Sequence, residues 1–196
     1  MYRLGLTGSI ATGKSTTLQA FADLGAPVFS ADEAVHQLYE GEAVAPVEAL
    51  FPGVAPTGVI DRVELSRRLL QDPELLAALE AVVHPLVRRK IAAFFDEAEA
   101  SGAPLAVADI PLLFENGVDW GLDGVAVTVV DEAEQRRRVL ARPGMTVEKL
   151  EAILARQLPQ GEKRRRADYV FDTSGTIGET RDAVAHLVDE LTRDTT

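Results

Sequence analysis

The 196-residue chain contains no cysteine, which excludes disulfides and thiolate metal sites. No apolar run approaches the ~18 residues that a membrane span needs. The first apolar stretch, Tyr2 to Leu6, is only a strand long and already carries Arg3, so no signal peptide is expected. Asparagine occurs once, at Asn116, and Gly117 follows it, so the Asn-Lys-x-Asp signature of a guanine-nucleotide switch is missing. No Gln-rich signature loop or internal repeat supports a motor or transporter ATPase. Basic residues are outnumbered, 20 against 31 acidic, for a net charge of −11. Wide nucleic-acid binding, which depends on many phosphate contacts, is therefore not expected. A cytoplasmic protein acting on small molecules is. The length suffices for one domain with appendages, and 46% apolar with 26% charged residues is ordinary for a globular chain.

Against these absences stands one stretch, Gly8-Ser9-Ile10-Ala11-Thr12-Gly13-Lys14-Ser15, which matches G-x-x-x-x-G-K-[ST] at every fixed position. A strand is predicted before it and a helix, Lys14 to Leu24, after it, with Leu18, Phe21, Ala22 and Leu24 available for one face. A triphosphate needs many donors and little bulk. Gly8 and Gly13 let backbone N–H groups turn inward, the helix directs its positive end at the phosphates, Lys14 reaches the β/γ oxygens, and the Ser15 hydroxyl can hold Mg²⁺.

Further strands are expected at Ala26–Phe29, Ala103–Ala108, Val125–Val130 and Tyr169–Phe171. Strands alternating with helices indicate an α/β fold with a five-stranded parallel sheet covered by helices on both faces. Asp32 follows the second strand; it either faces the phosphate loop or caps the next helix, with Ser30 competing for the cap. Residues 33–83 read as a helical insertion holding a second substrate: helices at 34–39, 44–51, 63–70 and 73–83, the last opened by Asp72-Pro73. A separate long helix is expected from His84-Pro85 to about Glu99. Asp109 ends an apolar strand, a Walker-B-like place for a carboxylate that holds Mg²⁺ or its waters. Glu132–Leu140 reads as a helix, and the segment 141–157 after it, which includes a helix capped by Thr146, is a candidate lid rimmed by Arg138, Arg142 and Arg156. The core would then be 1–32, 84–140 and 158–196. Basic residues bunch at 136–138, 142, 156 and 163–166, either as a locus for a small anion or as solvated faces with partners such as Glu132 for Arg136.

Taken together, these residues resemble the dephospho-coenzyme A kinase family over nearly the whole chain. The likeness rests on Leu6 to Thr16, Ala31-Asp32, Asp61-Arg62, Val82-Val83-His84-Pro85, the run Asp109-Ile110-Pro111-Leu112-Leu113-Phe114-Glu115, and Gln135, Arg138, Arg142, Arg156-Gln157 and Ala167-Asp168. The phosphate loop alone is widely shared; the Asp109–Glu115 run with His-Pro and Arg-Gln is far more specific.

The resemblance implies ATP-dependent, Mg²⁺-assisted phosphorylation of the ribose 3′-hydroxyl of dephospho-CoA, the last step of coenzyme A synthesis. The alternative is another small-molecule P-loop kinase, acting on a nucleoside or nucleotide. It further implies Asp32 as general base, with Lys14, Arg138 and Arg142 as the other catalytic residues. Gly8, Ala11, Thr12, Gly13, Lys14, Ser15, Thr16 and Arg142 would bind ATP. Asp32, Arg62, His84, Asp109 and Leu113 would bind the acceptor, and Ser15 and Asp109 the metal. A monomer or weak homo-oligomer is expected. The chain departs from the family pattern at Ser9 and Ala11, where glycines are usual, at Ser30 in place of an aspartate, and at Thr173 in place of an asparagine.

Overall fold

The computed structural model describes residues 1–72 and 74–193, with the side chain of Leu70 outside the description. The helix start expected at Pro73 therefore lies outside the described residues, although the Asp72 carboxylate does accept the Glu74 N–H at 3.1 Å. The order of elements is β1 (Tyr2–Gly8), α1 (Lys14–Asp23), β2 (Val28–Ser30), α2 (Ala31–Tyr39), α3 (Val44–Leu50), α4 (Arg62–Gln71) and α5 (Glu74–Ala100). It continues through β3 (Leu105–Asp109), β4 (Gly124–Val129), α6 (Glu132–Leu140), α7 (Val147–Leu154), α8 (Gln160–Arg166), β5 (Tyr169–Asp172) and α9 (Ile177–Arg193).

The five strands form one parallel sheet in the order β2-β3-β1-β4-β5, flanked by helices. Its register sets Leu6 of β1 beside Asp109 of β3 on one side and Ala126 of β4 on the other. Alternate residues of the strands, Leu4, Leu6, Leu105, Val107, Ala126 and Phe171, bury against Ala20 and Phe21 of α1 and Val184 and Leu187 of α9. Phe21 and Phe171 meet edge to face, 6.0 Å between ring centres, a favoured aromatic geometry. Leu18 packs at the border of this cluster. Leu24, expected on the same face, is instead exposed beyond the last residue of α1.

The chain divides into two compact units, one of Met1–Phe29 with the chain from Phe95 onwards, the other Ser30–Phe94. The second has its own core of Leu38, Ala43, Val47, Phe51, Val54, Ile60 and Leu65. Its loops are tied by Glu48, which accepts the Gly53 and Ala55 N–H groups at 2.5 and 2.7 Å, and by Asp61, whose carboxylate caps α4.

Two further expectations change, and one helix was not expected. The helices predicted to meet at His84-Pro85 are one, α5, with Pro85 in its interior. Proline there removes the donor that Ala81 C=O would accept, and burial of Leu79, Val83, Val87, Ile91 and Phe95 along the helix offsets that loss. Residues 160–166 form α8, which the Pro159-Gln160-Gly161 turn signal and the charge run conceal. Arg136 pairs with Glu151 of α7 at 2.6 Å, not with Glu132. No helix among the described residues is long and apolar enough to cross a membrane.

Candidate active site

The loop between β1 and α1 is shaped by conformational demands that few residues meet. Gly13, the residue before α1, has φ 87°, and a Cβ there would press on Thr173 at 3.0 Å. Gly8 is needed for a different reason: a Cβ would collide with the Thr128 hydroxyl. Ala11 adopts φ 60°, a left-handed conformation that costs an L-residue about 1–2 kcal/mol. The usual glycine is thus replaced by the smallest side chain that still carries a Cβ. Thr12 donates its hydroxyl proton to Ser9 C=O at 2.8 Å and meets the Thr128 hydroxyl at 2.7 Å, both buried.

α1 begins with no side-chain cap and no acidic residue in its first turn. Its first N–H groups and its positive dipole end are therefore available to an anion. Lys14 is half-buried; Ser15 and Thr16 are exposed. On the neighbouring strand, Asp109 is 6% exposed and Ile110 N–H donates to Leu6 C=O at 2.9 Å, so the ladder runs past the carboxylate. Ser15 and Asp109 are hard oxygen donors of the kind Mg²⁺ takes. Among the described residues no group of three or more His, Cys, Asp or Glu forms an all-protein cage. That donor set fits a Mg²⁺ held by one or two protein oxygens and by substrate phosphates.

Leu113, expected to touch the acceptor, is buried, with its Cδ1 3.0 Å from where a Gly5 Cβ would stand. It packs on the backbone of β1. Glu115 ends the same run and forms an ion pair at 2.8 Å with Lys163 of α8, which is fully buried. Burial pushes the Glu115 carboxyl up, but the Lys163 ammonium and the Leu158 N–H, 2.8 Å away, outweigh it and hold it below the usual carboxylate range. The basic cluster at 163–166 thus contains one interior cation, and Arg165 and Arg166 pair with Glu162.

Arg138 is engaged in the same way. Its Nε donates to Glu134 at 2.7 Å, its Nη1 to the Thr173 hydroxyl at 3.2 Å and its Nη2 to Thr173 C=O at 2.7 Å. Hydrogen bonds from Arg137 and Arg138 hold the Glu134 carboxyl down at about 2. Arg142, by contrast, is exposed and makes no ion pair among the described residues.

Asp32, Arg62 and His84 lie in the Ser30–Phe94 unit. There the Ser30 hydroxyl caps α2, accepting the Glu33 N–H at 3.3 Å. Asp32 sits within the first turn, exposed and relieved of the capping role. Arg62 is exposed in the first turn of α4 and His84 half-buried on α5.

Sequence reasoning missed the residues that support the loop. Gln135 and Gln157 stood out only as points of resemblance, and Thr128 and Gln160 not at all.

A glycine-bounded loop leading into an uncapped helix, at the carboxyl edge of a parallel sheet and beside a strand-end carboxylate, defines a P-loop phosphotransferase. The family model described as Dephospho-CoA kinase matches residues 2–179. A protein of Rhizobium meliloti named Dephospho-CoA kinase is 56% identical over 191 residues, 97% of this chain and 98% of its own. A solved structure titled as TT1252 from Thermus thermophilus superposes with a TM-score of 0.81 at 37% identity, covering 97% of this chain and 98% of that one. The dephospho-CoA kinase from Campylobacter jejuni does so at 0.75 and 25%, covering 99% and 98%. The chain belongs to the dephospho-CoA kinase family.

Proposed function

We propose that this chain transfers the γ-phosphoryl group of ATP to the 3′-hydroxyl of the dephospho-CoA ribose, giving coenzyme A and ADP. The family match over residues 2–179 carries the reading, and the phosphate loop, with its left-handed Ala11 and Gly13 opening onto the uncapped end of α1, supports its ATP half. Gly8, Ala11, Thr12, Gly13, Lys14, Ser15 and Thr16 hold the triphosphate, and the Lys14 ammonium serves as a point charge on the β/γ oxygens. Ser15 and Asp109 would hold Mg²⁺, which supplies charge neutralisation across the phosphates. Asp32 accepts the proton of the acceptor hydroxyl; its exposure and its release from capping by Ser30 support that role. Arg142, on the candidate lid 141–157, is the cation free to approach the transferred phosphoryl group, whereas Arg138 braces Thr173. Arg62, His84, Asp109 and Leu113 are the residues to which this reading assigns binding of the acceptor. The helical unit Ser30–Phe94 is the counterpart of the expected insertion 33–83, and its length suits an extended pantetheine-bearing acceptor.

The same reading makes the protein a cytoplasmic enzyme, a monomer or weak homo-oligomer, that acts on small molecules and not on nucleic acid. Its test is a coupled ADP-release assay with dephospho-CoA or a nucleoside as acceptor, with and without Mg²⁺. Turnover is expected with dephospho-CoA and Mg²⁺ and is abolished by chelation. Turnover with the nucleoside alone would reverse the assignment in favour of a nucleoside kinase.

A further inference from the structure

The two peptides of the phosphate loop that lead into its left-handed residues, Ala11 and Gly13, are held from outside by side chains beyond the G-x-x-x-x-G-K-[ST] motif. A trans peptide sets its C=O and N–H in opposite directions, so fixing one fixes the other. Ile10 C=O accepts the Gln135 Nε2 donor at 2.8 Å, and the N–H on the other side of that peptide belongs to Ala11. Thr12 C=O accepts the Thr173 hydroxyl at 2.9 Å, and the N–H across that peptide belongs to Gly13. Neither N–H has a protein partner among the described residues. The peptide between Ser9 and Ile10 is closed at both ends, its C=O by Thr12 and its N–H by Gln157 Oε1 at 3.1 Å.

Each pin has an unambiguous donor direction. The Val130 N–H can only donate, and it donates to Gln160 Oε1 at 2.9 Å. Gln160 Nε2 therefore donates to Gln135 Oε1 at 3.0 Å, which leaves the Gln135 amide nitrogen for Ile10 C=O. Likewise Arg138 is a donor only. Its bond to the Thr173 oxygen sends that hydroxyl proton on to a carbonyl, Thr12 C=O at 2.9 Å in preference to Val129 C=O at 3.3 Å. Gln135 and Thr173 are 3% and 6% exposed, so water does not compete for these bonds.

We infer that Gln135 and Thr173 are positioning residues that preset the phosphate loop, aiming the Ala11 and Gly13 N–H groups at the nucleotide before it arrives. Gln160 and Arg138 fix the direction of the two pins. Gln157 withdraws the Ile10 N–H from phosphate binding. In a chain that carries threonine where its family usually has asparagine, the Thr173 hydroxyl is committed to the loop, not to the base. The inference rests on the reading of this loop as an ATP site and leaves the acceptor open.

The test compares Thr173→Val and Thr173→Ser with the unmodified chain, using calorimetric titration with Mg·ATP and steady-state kinetics. Thr173→Val keeps the bulk and removes the pin; Thr173→Ser keeps the hydroxyl. Losing one hydrogen bond of ordinary strength should weaken ATP binding and raise its KM about threefold to tenfold. The KM for dephospho-CoA should stay unchanged, and Thr173→Ser should restore affinity. Gln135→Met, which removes the other pin at similar volume, should show the same split and provides the test if Thr173→Val does not fold. ATP affinity unaltered in the folded valine or methionine variant, or equal losses for ATP and dephospho-CoA, overturns the inference. Because ATP binding is read without an acceptor, absence of turnover with dephospho-CoA in the unmodified chain would refute the proposed activity and leave the pin measurement standing.

Discussion

At the scale of single residues, the chemistry divides between groups that touch the nucleotide and groups that aim them. Lys14→Ala removes the point charge proposed for the β/γ oxygens, and kcat should fall by about two orders of magnitude or more, with the thermal melt little changed because the half-buried side chain forms no hydrogen bond or ion pair among the described residues. Asp32→Asn keeps shape and exposure but cannot accept a proton, and a loss of about 10²–10⁴-fold in kcat is expected for a general base. Near-normal turnover of the folded asparagine variant would leave Asp32 a positioning role alone. Lys14, Ser15 and Asp109 could be proposed from the sequence because phosphate and metal chemistry fixes residue type and spacing over a short stretch. Gln135 and Thr173 were not, because they reach the loop from about 125 and 161 positions away in the chain. No local pattern records that proximity. Arg138 shows the same limit: its charge could be read from the sequence, but its attachment to Glu134 and Thr173 needed coordinates.

At the scale of elements, α8 is fastened by a buried charge. Glu115→Ala would strand the fully buried Lys163 ammonium, at a cost of about 3–5 kcal/mol. Replacing both partners, as in Glu115→Leu with Lys163→Met, should recover much of that loss in a denaturant titration; no recovery would mean that the pair is not the fastening. The pH dependence follows from the lowered Glu115 carboxyl. A group with a depressed folded-state pKa stabilises above its unfolded value, 4.5 here, and that contribution disappears as the pH falls through the folded value. Acid unfolding of the unmodified chain should therefore begin below about pH 4.5, and the doubly substituted chain should lose less stability over the same range. On the neighbouring α6–α7 hairpin, Arg142→Ala should reduce kcat more than it raises either KM; equal effects would argue against a role confined to the transition state. The strands, α6 and the Thr146 cap could be read from periodicity and cap chemistry. α8 could not, since a short polar helix opening on Pro-Gln-Gly carries neither an apolar stripe nor a cap.

For the whole molecule, the hydrophobic pattern was sufficient to specify a parallel α/β sheet and a separate helical segment. The cluster around Phe21 is where sheet, α1 and α9 meet. Phe21→Ala should cost about 3–5 kcal/mol, and, at about 2–4 °C per kcal/mol for a chain of this size, lower the melting temperature by about 6–20 °C. A smaller drop, read by calorimetry, would show that the core relaxes around the vacated ring. The boundary of the helical unit was less legible, because α5 runs from Glu74 to Ala100 through a proline that reads as a break.

The strand order has a temporal consequence. β1 is synthesised before any other strand, yet its neighbours are Leu105–Asp109 and Gly124–Val129, and the last pin on its loop is Thr173. At about 5–20 residues per second, β1 waits roughly 5–20 s for β3 to be translated, and longer for Thr173. Until then a nascent chain has a phosphate motif without a phosphate site. ATP should therefore protect ribosome-released chains from protease but not stalled chains that end before residue 173. Competence for nucleotide arrives 161 residues of synthesis after the motif.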